Sequence, residues 1–225
     1  MKKIVEPHSA AIIILHEIYG LNPFIKALSR DLKKQGFEVI CPNLLKRDFF
    51  TYAEAQEAYA YFTTEVGFDA YQSIVKLIGQ LKKTYMQVFV MGFSVGATIA
   101  WRCSETHDCD GIIGFYGSRI RDYLELVPAC PVLLLFADQE AFDVAAVVRQ
   151  VRKKPMVSAQ LLLARHGYMD HNSTAYDQNQ AQKSWAWISE FFNQSFSPET
   201  GFRSASPPLS LCSRLRQCRI PGDDR

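Results

Sequence analysis

The chain has 225 residues, 48% of them hydrophobic and 21% charged, with a formal net charge of +2, which is enough material to bury a sizeable core. Its longest apolar runs, Ala10 to Leu15 and Val132 to Ala137, are strand-sized and exclude a membrane span. No basic block or aromatic-basic interleaving points to nucleic acid.

In chain order, strands alternate with helices. Met1 to His8 carries two lysines but lacks the apolar core and cleavage site of a signal peptide, so the expected location is cytoplasmic. Ala10 to Leu15 reads as a strand, and His16 to Leu21 as a loop. Asn22 can cap a helix with Pro23 at its first position, Ile25, Leu28 and Leu32 form a stripe, and Gly36 ends it. Phe37 to Cys41 is a second strand closed by Pro42. A looser helical region covers Tyr52 to Thr64, and a firmer helix follows with Ile74, Leu77, Ile78 and Leu81 on one face. Further strands are expected at Val88 to Met91, Gly111 to Tyr116, Val132 to Ala137 and Ser158 to Ala164. Helices are expected at Ala97 to Trp101, Ala141 to Arg152 and about Ala175 to Asn193. Such alternation predicts an α/β fold, a mainly parallel sheet flanked by helices on both faces.

Between the Met91 strand and its helix sits Gly92-Phe93-Ser94-Val95-Gly96. A Gly-x-Ser-x-Gly turn suits a nucleophile because a sharp strand-to-helix reversal strains the backbone, and small residues on either side let the chain reverse without collision. The bland alternative is a glycine-relieved connection with an incidental serine. In a parallel sheet, reactive groups gather at the carboxyl ends of strands. Four such ends carry suitable chemistry: His16 and Glu17, Ser94, Asp138 and Glu140, and His166. Taken singly, an acid there can be a helix cap and His166 a turn residue. Together, the order serine, acid, histidine is that of the α/β-hydrolases. Between Asp138 and Glu140, the commoner triad residue favours the former.

The chain also resembles the dienelactone hydrolase family. His16-Glu17-Ile18-Tyr19-Gly20-Leu21-Asn22 looks like that family's Glu-Ile-Phe/Tyr-Gly-x-Asn loop, and His166-Gly167-Tyr168-Met169-Asp170 looks like its His-Gly-Phe segment. The likeness runs from about Ile12 to Phe192. It implies a triad of Ser94, Glu140 and His166, with the family's aspartate falling on Glu140 in an ungapped match and Asp138 as the alternative acid. It also implies that Glu17 approaches the nucleophile, and that the Ile18 and Val95 amides form an oxyanion hole. The best-known members use cysteine where this chain has Ser94. The arginines that hold a substrate carboxylate in dienelactone-specific members fall near Ala55 and on Asp170.

The expected substrate is a small ester or lactone, with no metal or cofactor. Tyr59, Tyr116, Phe142, Tyr168 and Met169 are candidate pocket walls. An acyltransferase or a peptidase would share the triad, and a non-catalytic binding protein would share the fold. The six cysteines, Cys41, Cys103, Cys109, Cys130, Cys212 and Cys218, are scattered and read as reduced thiols. Cys103, His107 and Cys109 match no usual zinc spacing. The expected domain spans residues 1–196 and lacks the N-terminal hairpin of longer relatives. Residues 197–225, rich in Ser, Pro and Arg, read as a disordered tail.

Overall fold

In a computed structural model, residues 10–196 are described. Their six strands form one parallel sheet in the order β2-β1-β3-β4-β5-β6. The strands are β1 (Ala10–Leu15), β2 (Glu38–Ile40), β3 (Gln87–Phe93), β4 (Gly111–Phe115), β5 (Val132–Gln139) and β6 (Val157–Arg165). The central strands are apolar along their length because both faces are covered: in β1, Ile12 and Ile14 face one core, while Ile13 and Leu15 face the other.

The helices are α1 (Pro23–Lys34), α2 (Ala55–Tyr61), α3 (Tyr71–Leu81), α4 (Val95–Cys103), α5 (Val144–Val151) and α6 (Gln178–Ser195). Leu28 and Leu32 of α1 join Ile188 and Phe192 of α6 on the first face. Ile74 and Ile78 of α3, Ile99 of α4 and Val147 of α5 build the second. As the sequence leads one to expect, the Asn22 side chain accepts from the Ile25 amide with Pro23 in the first turn, and Gly36 follows the helix at φ +96°.

Several boundaries differ from expectation. The last helix begins at Gln178 rather than Ala175, because the Asp177 carboxylate accepts from the Gln180 amide and caps it there. It also runs beyond Asn193: the Ser195 carbonyl accepts from the Gln87 side chain, and Phe196 packs near Phe89 and Phe37. Strand β5 extends through Asp138 to Gln139 because β6 continues to pair with it, with a register shift between Ala137 and Gln139. The expectations for an absent N-terminal hairpin and a disordered tail concern residues 1–9 and 197–225, outside the described residues, as do Cys212 and Cys218.

The chain runs from β1 outward to β2, then returns to place β3 on the other side of β1. That reversal makes the carboxyl ends of β1 and β3 the topological switch point, the place where open α/β sheets bind ligands.

Candidate active site

Ser94 stands where β3 turns into α4, with φ +53° and ψ −115°. A side chain in that region costs about 1–3 kcal/mol and persists only where its surroundings enforce it. The enforcement is visible: the Ser94 amide donates to the Phe115 carbonyl at 2.9 Å, and the Ser94 carbonyl accepts from the Ala97 and Thr98 amides. Both flanking glycines are sterically required. A Cβ on Gly92 would lie 2.2 Å from the Gly96 carbonyl oxygen, and one on Gly96 would lie 2.4 Å from that of Leu15.

The same close approach brings the first turn of α4 against the end of β1, where Leu15 pairs with Gly92. The backbone after β1 is held by His16, which is fully buried. The Leu44 amide donates to its Nε2 at 3.0 Å, so Nδ1 carries the proton and donates to the Glu17 carbonyl at 2.6 Å. Burial lowers the His16 pKa to about 4, against the opposing effect of the Glu17 carbonyl bond, so the ring stays neutral in ordinary buffers. Thus Ile18 follows a fixed turn on one side and Val95 opens a helix on the other. As the first residue of α4, Val95 has no intrahelical acceptor for its N–H, and no bond from the Ile18 amide occurs among the described loop contacts.

His166, just past β6, bridges two of the groups expected beside it. Its Nδ1 lies 2.6 Å from Glu140 Oε1 and its Nε2 lies 2.8 Å from Ser94 Oγ. With Nδ1–H donating to the carboxylate, Nε2 accepts the serine proton. The His166 side chain retains 37% of its exposure and Glu140 only 14%, so the ring is reachable while its partner is shielded. Burial disfavours the charged imidazole, but the hydrogen bond and charge of Glu140, reinforced by Glu17, outweigh it and raise the His166 pKa above 6.5.

Asp138 is occupied elsewhere. Its Oδ1 accepts from the Ala164 amide at 2.9 Å, stitching the last turn of β5 to β6 where the register shifts. Glu140, two residues later, has left the strand and reaches His166.

Glu17, expected to approach the nucleophile, makes its bond elsewhere: Oε1 accepts from the Tyr116 hydroxyl at 2.8 Å, while Ser94 is paired with His166. Burial raises the Glu17 pKa, assisted by Asp170 and opposed by His166 and Tyr116. Tyr116 sits at φ +39° with its ring 4.9 Å from that of His166, so it lines the site, although fully buried. Tyr168, expected in the pocket wall, is instead core: its hydroxyl shares a hydrogen bond with Ser184 of α6. Met169 is likewise buried in the core. Tyr59 is exposed, its hydroxyl accepting from Arg119 at 2.9 Å, and Phe142 is half-buried beneath Arg121.

A further pair went unseen in the sequence. The Tyr52 hydroxyl donates to the buried carboxylate of Asp170, which also accepts from the Asn172 amide at 2.8 Å. Asn22 Nδ2 donates in turn to Tyr52, and the Tyr19 ring stands edge-on to it at 4.9 Å. These residues lie far apart in the chain, and no periodicity or motif links Tyr52 to Asp170. Among the described residues, no cluster of three or more His, Cys, Asp or Glu could hold a metal ion, and no helix is long and apolar enough to cross a membrane.

A parallel sheet clad by helices on both faces, with a serine on the strained turn after its third strand, defines an α/β-hydrolase fold. The dienelactone hydrolase family model matches residues 2–196, and the chain belongs to that family. It is 39% identical over 170 residues to protein YczH of Bacillus subtilis, a match covering 74% of this chain and 84% of that one. It is 27% identical over 152 residues to a carboxymethylenebutenolidase of Pseudomonas putida, spanning 62% of this chain and 64% of the relative. Among solved structures, the dienelactone hydrolase-like promiscuous phosphotriesterase P91 from metagenomic libraries superposes with a TM-score of 0.66 at 18% identity. That superposition covers 85% of this chain and 88% of the other, and shows likeness of fold.

Proposed function

We propose that the protein is a serine hydrolase of carboxylic esters or lactones, with Ser94 as nucleophile, His166 as general base and Glu140 as its partner. The observation that carries this reading is the continuous pair of hydrogen bonds from Ser94 through His166 to Glu140. A neutral hydroxyl becomes a useful nucleophile only when an oriented base removes its proton. Ser94 Oγ attacks the carbonyl carbon while Nε2 takes its proton, and Glu140 stabilises the imidazolium. The Val95 amide at the helix start and the Ile18 amide after β1 bind the oxyanion. The imidazolium protonates the leaving alkoxide. Water, deprotonated by the same nitrogen, then releases the acid. The membership in a hydrolase family supports the same class of reaction.

The decisive test combines a panel of short-chain esters and lactones with a fluorophosphonate probe. Turnover is expected, together with an adduct that peptide mapping assigns to Ser94. A protein that neither turns over the panel nor reacts with the probe would be a binding protein on a hydrolase fold.

The raised pKa of His166 sets the pH profile. Only the neutral ring accepts a proton, so kcat/KM should rise with pH along a single acid limb whose midpoint lies above 6.5. Glu140→Gln removes the groups' hydrogen bond and charge, leaving burial to dominate, and should move that midpoint to lower pH. Rate profiles of both proteins on one neutral ester check the direction.

Substrate charge is the other discriminating property. Asp170 holds an acidic group where dienelactone-specific relatives are expected to carry arginine. It already serves as acceptor to Tyr52 and Asn172, so it offers nothing to an anion. A like charge about 8 Å away at an effective dielectric of 20 costs roughly 2 kcal/mol. An ester or lactone with a carboxylate beside the scissile bond should therefore show kcat/KM at least about tenfold below a neutral one of similar size. Preference for the anion would show that a cation receives it and would overturn this expectation.

A further inference from the structure

The opposite edge of the sheet, where β3, β4 and β5 begin, holds a groove of about 420 Å³ lined by residues including Gln87, Cys109, Cys130, Pro131 and Phe191. Two of these lining residues are cysteines, both buried. Cys109 precedes β4 and Cys130 precedes β5, and the parallel pairing Ile112 with Val132 runs directly ahead of them. Continued at that register, Cys130 falls opposite Asp110, one residue from Cys109; with neighbouring parallel strands about 4.8 Å apart, the spacing is on the scale of the ~4.4–6.8 Å Cα separation that a disulfide spans. Both residues line the same groove, and both cysteines are free. Cys109 also lies within reach of the Val88 and Gly111 carbonyls, and Cys130 within reach of that of Ser104. Cys103 is buried nearby in α4, but its sulfur is directed to the Tyr71 carbonyl and does not line the groove.

We propose that Cys109 and Cys130 form a modification site, a thiol pair that a small hydroperoxide entering the groove converts to an intramolecular disulfide. In the first step one sulfur attacks the peroxide O–O bond, giving a sulfenic acid and one water from hydrogen peroxide. The partner thiol then attacks that sulfur, forming the S–S bond and expelling the second water. Two thiols lose two electrons, and the peroxide gains them. The contact with Cys130, and then burial, hold the Cys109 thiol well above its ordinary range. Attack is correspondingly slow, and a neutral reagent small enough for the groove is favoured over bulky thiol reagents. Both residues line the groove while keeping only 4% and 2% of their exposure, so a reagent the size of hydrogen peroxide is the one this site admits.

The test uses the reduced full-length chain exposed to hydrogen peroxide, blocked with iodoacetamide and mapped by mass spectrometry without reduction. The expected product joins the tryptic peptide containing Cys103 and Cys109 to that containing Cys130, with loss of two of the six free thiols assigned to this link and their return on adding dithiothreitol. The link should persist in Cys103→Ser and vanish in Cys109→Ser. In Cys130→Ser, a sulfenic acid on Cys109 should be trapped by dimedone. Oxidation confined to other cysteines, a link that survives Cys109→Ser, or Cys109 and Cys130 both recovered as alkylated free thiols would overturn the proposal. The mapping on the unmodified chain decides even if a variant fails to fold.

Discussion

Ser94→Ala is expected to lower kcat for ester hydrolysis by about 10⁶-fold, the scale seen when the serine is removed from a protease triad. The change deletes one oxygen whose described bond is to His166, on a turn whose backbone is fixed by the Phe115 carbonyl and by two glycines that admit no Cβ. Alanine tolerates the strained φ no worse than serine does, so the unfolding free energy should stay within about 1 kcal/mol of the parent, a small part of a typical margin. Rates on one good substrate and a urea titration measure the two quantities together. A pure, folded Ser94→Ala protein retaining turnover within about a hundredfold of the parent would place the nucleophile elsewhere. A variant that unfolds would instead show that the hydroxyl supports the turn.

The second large effect concerns the acid. Glu140→Gln should cost up to roughly 10⁴-fold in kcat, because an amide in place of the carboxylate lets the imidazole settle in the wrong tautomer and leaves the imidazolium unstabilised. Asp138→Asn should cost far less in rate. The Asp138 oxygen accepts a backbone amide from β6, and the carbonyl of asparagine can do the same, so the damage belongs to stability, on the order of 1 kcal/mol for a hydrogen bond weakened from charged to neutral. The two variants thus separate chemistry from architecture. A larger rate loss in Asp138→Asn would reassign the acid while leaving Ser94 and His166 in their places.

Much of this arrangement is legible in the amino-acid sequence because its signals are local. Asn22 followed by Pro23 marks a helix start, the apolar runs mark buried strands, and Gly92 to Gly96 marks a turn that only small neighbours permit. Glu140 is reached by matching a strand without a gap; its carboxylate lies beside His166, while Asp138 is still inside β5, where the pairing with β6 claims its carboxylate. The contacts that escape a reading of the chain depend on the third dimension. Tyr116 finds Glu17, and Tyr52 finds Asp170, only because separate crossovers bring their loops to one sheet edge. Tyr168 follows His166 so closely that it reads as a pocket wall, yet the turn at Gly167, with φ +88°, sends it down into the core against α6. His16 carries no motif of its own that announces a tie to Leu44, and its role emerges only from the two bonds it makes.

The strand order has a mechanical consequence. Ser94 rises from β3 in the middle of the sheet, flanked by β1 and β4, whereas His166 hangs from β6, one of the two strands that, among the described residues, pair on one side only. Fluctuations that peel an edge strand cost far less than those that open the centre. The proposed nucleophile is therefore carried by the most durable part of the molecule and its proposed base by one of the least. Asp138, by clasping the Ala164 amide two residues before that base, is the latch that keeps the two in register.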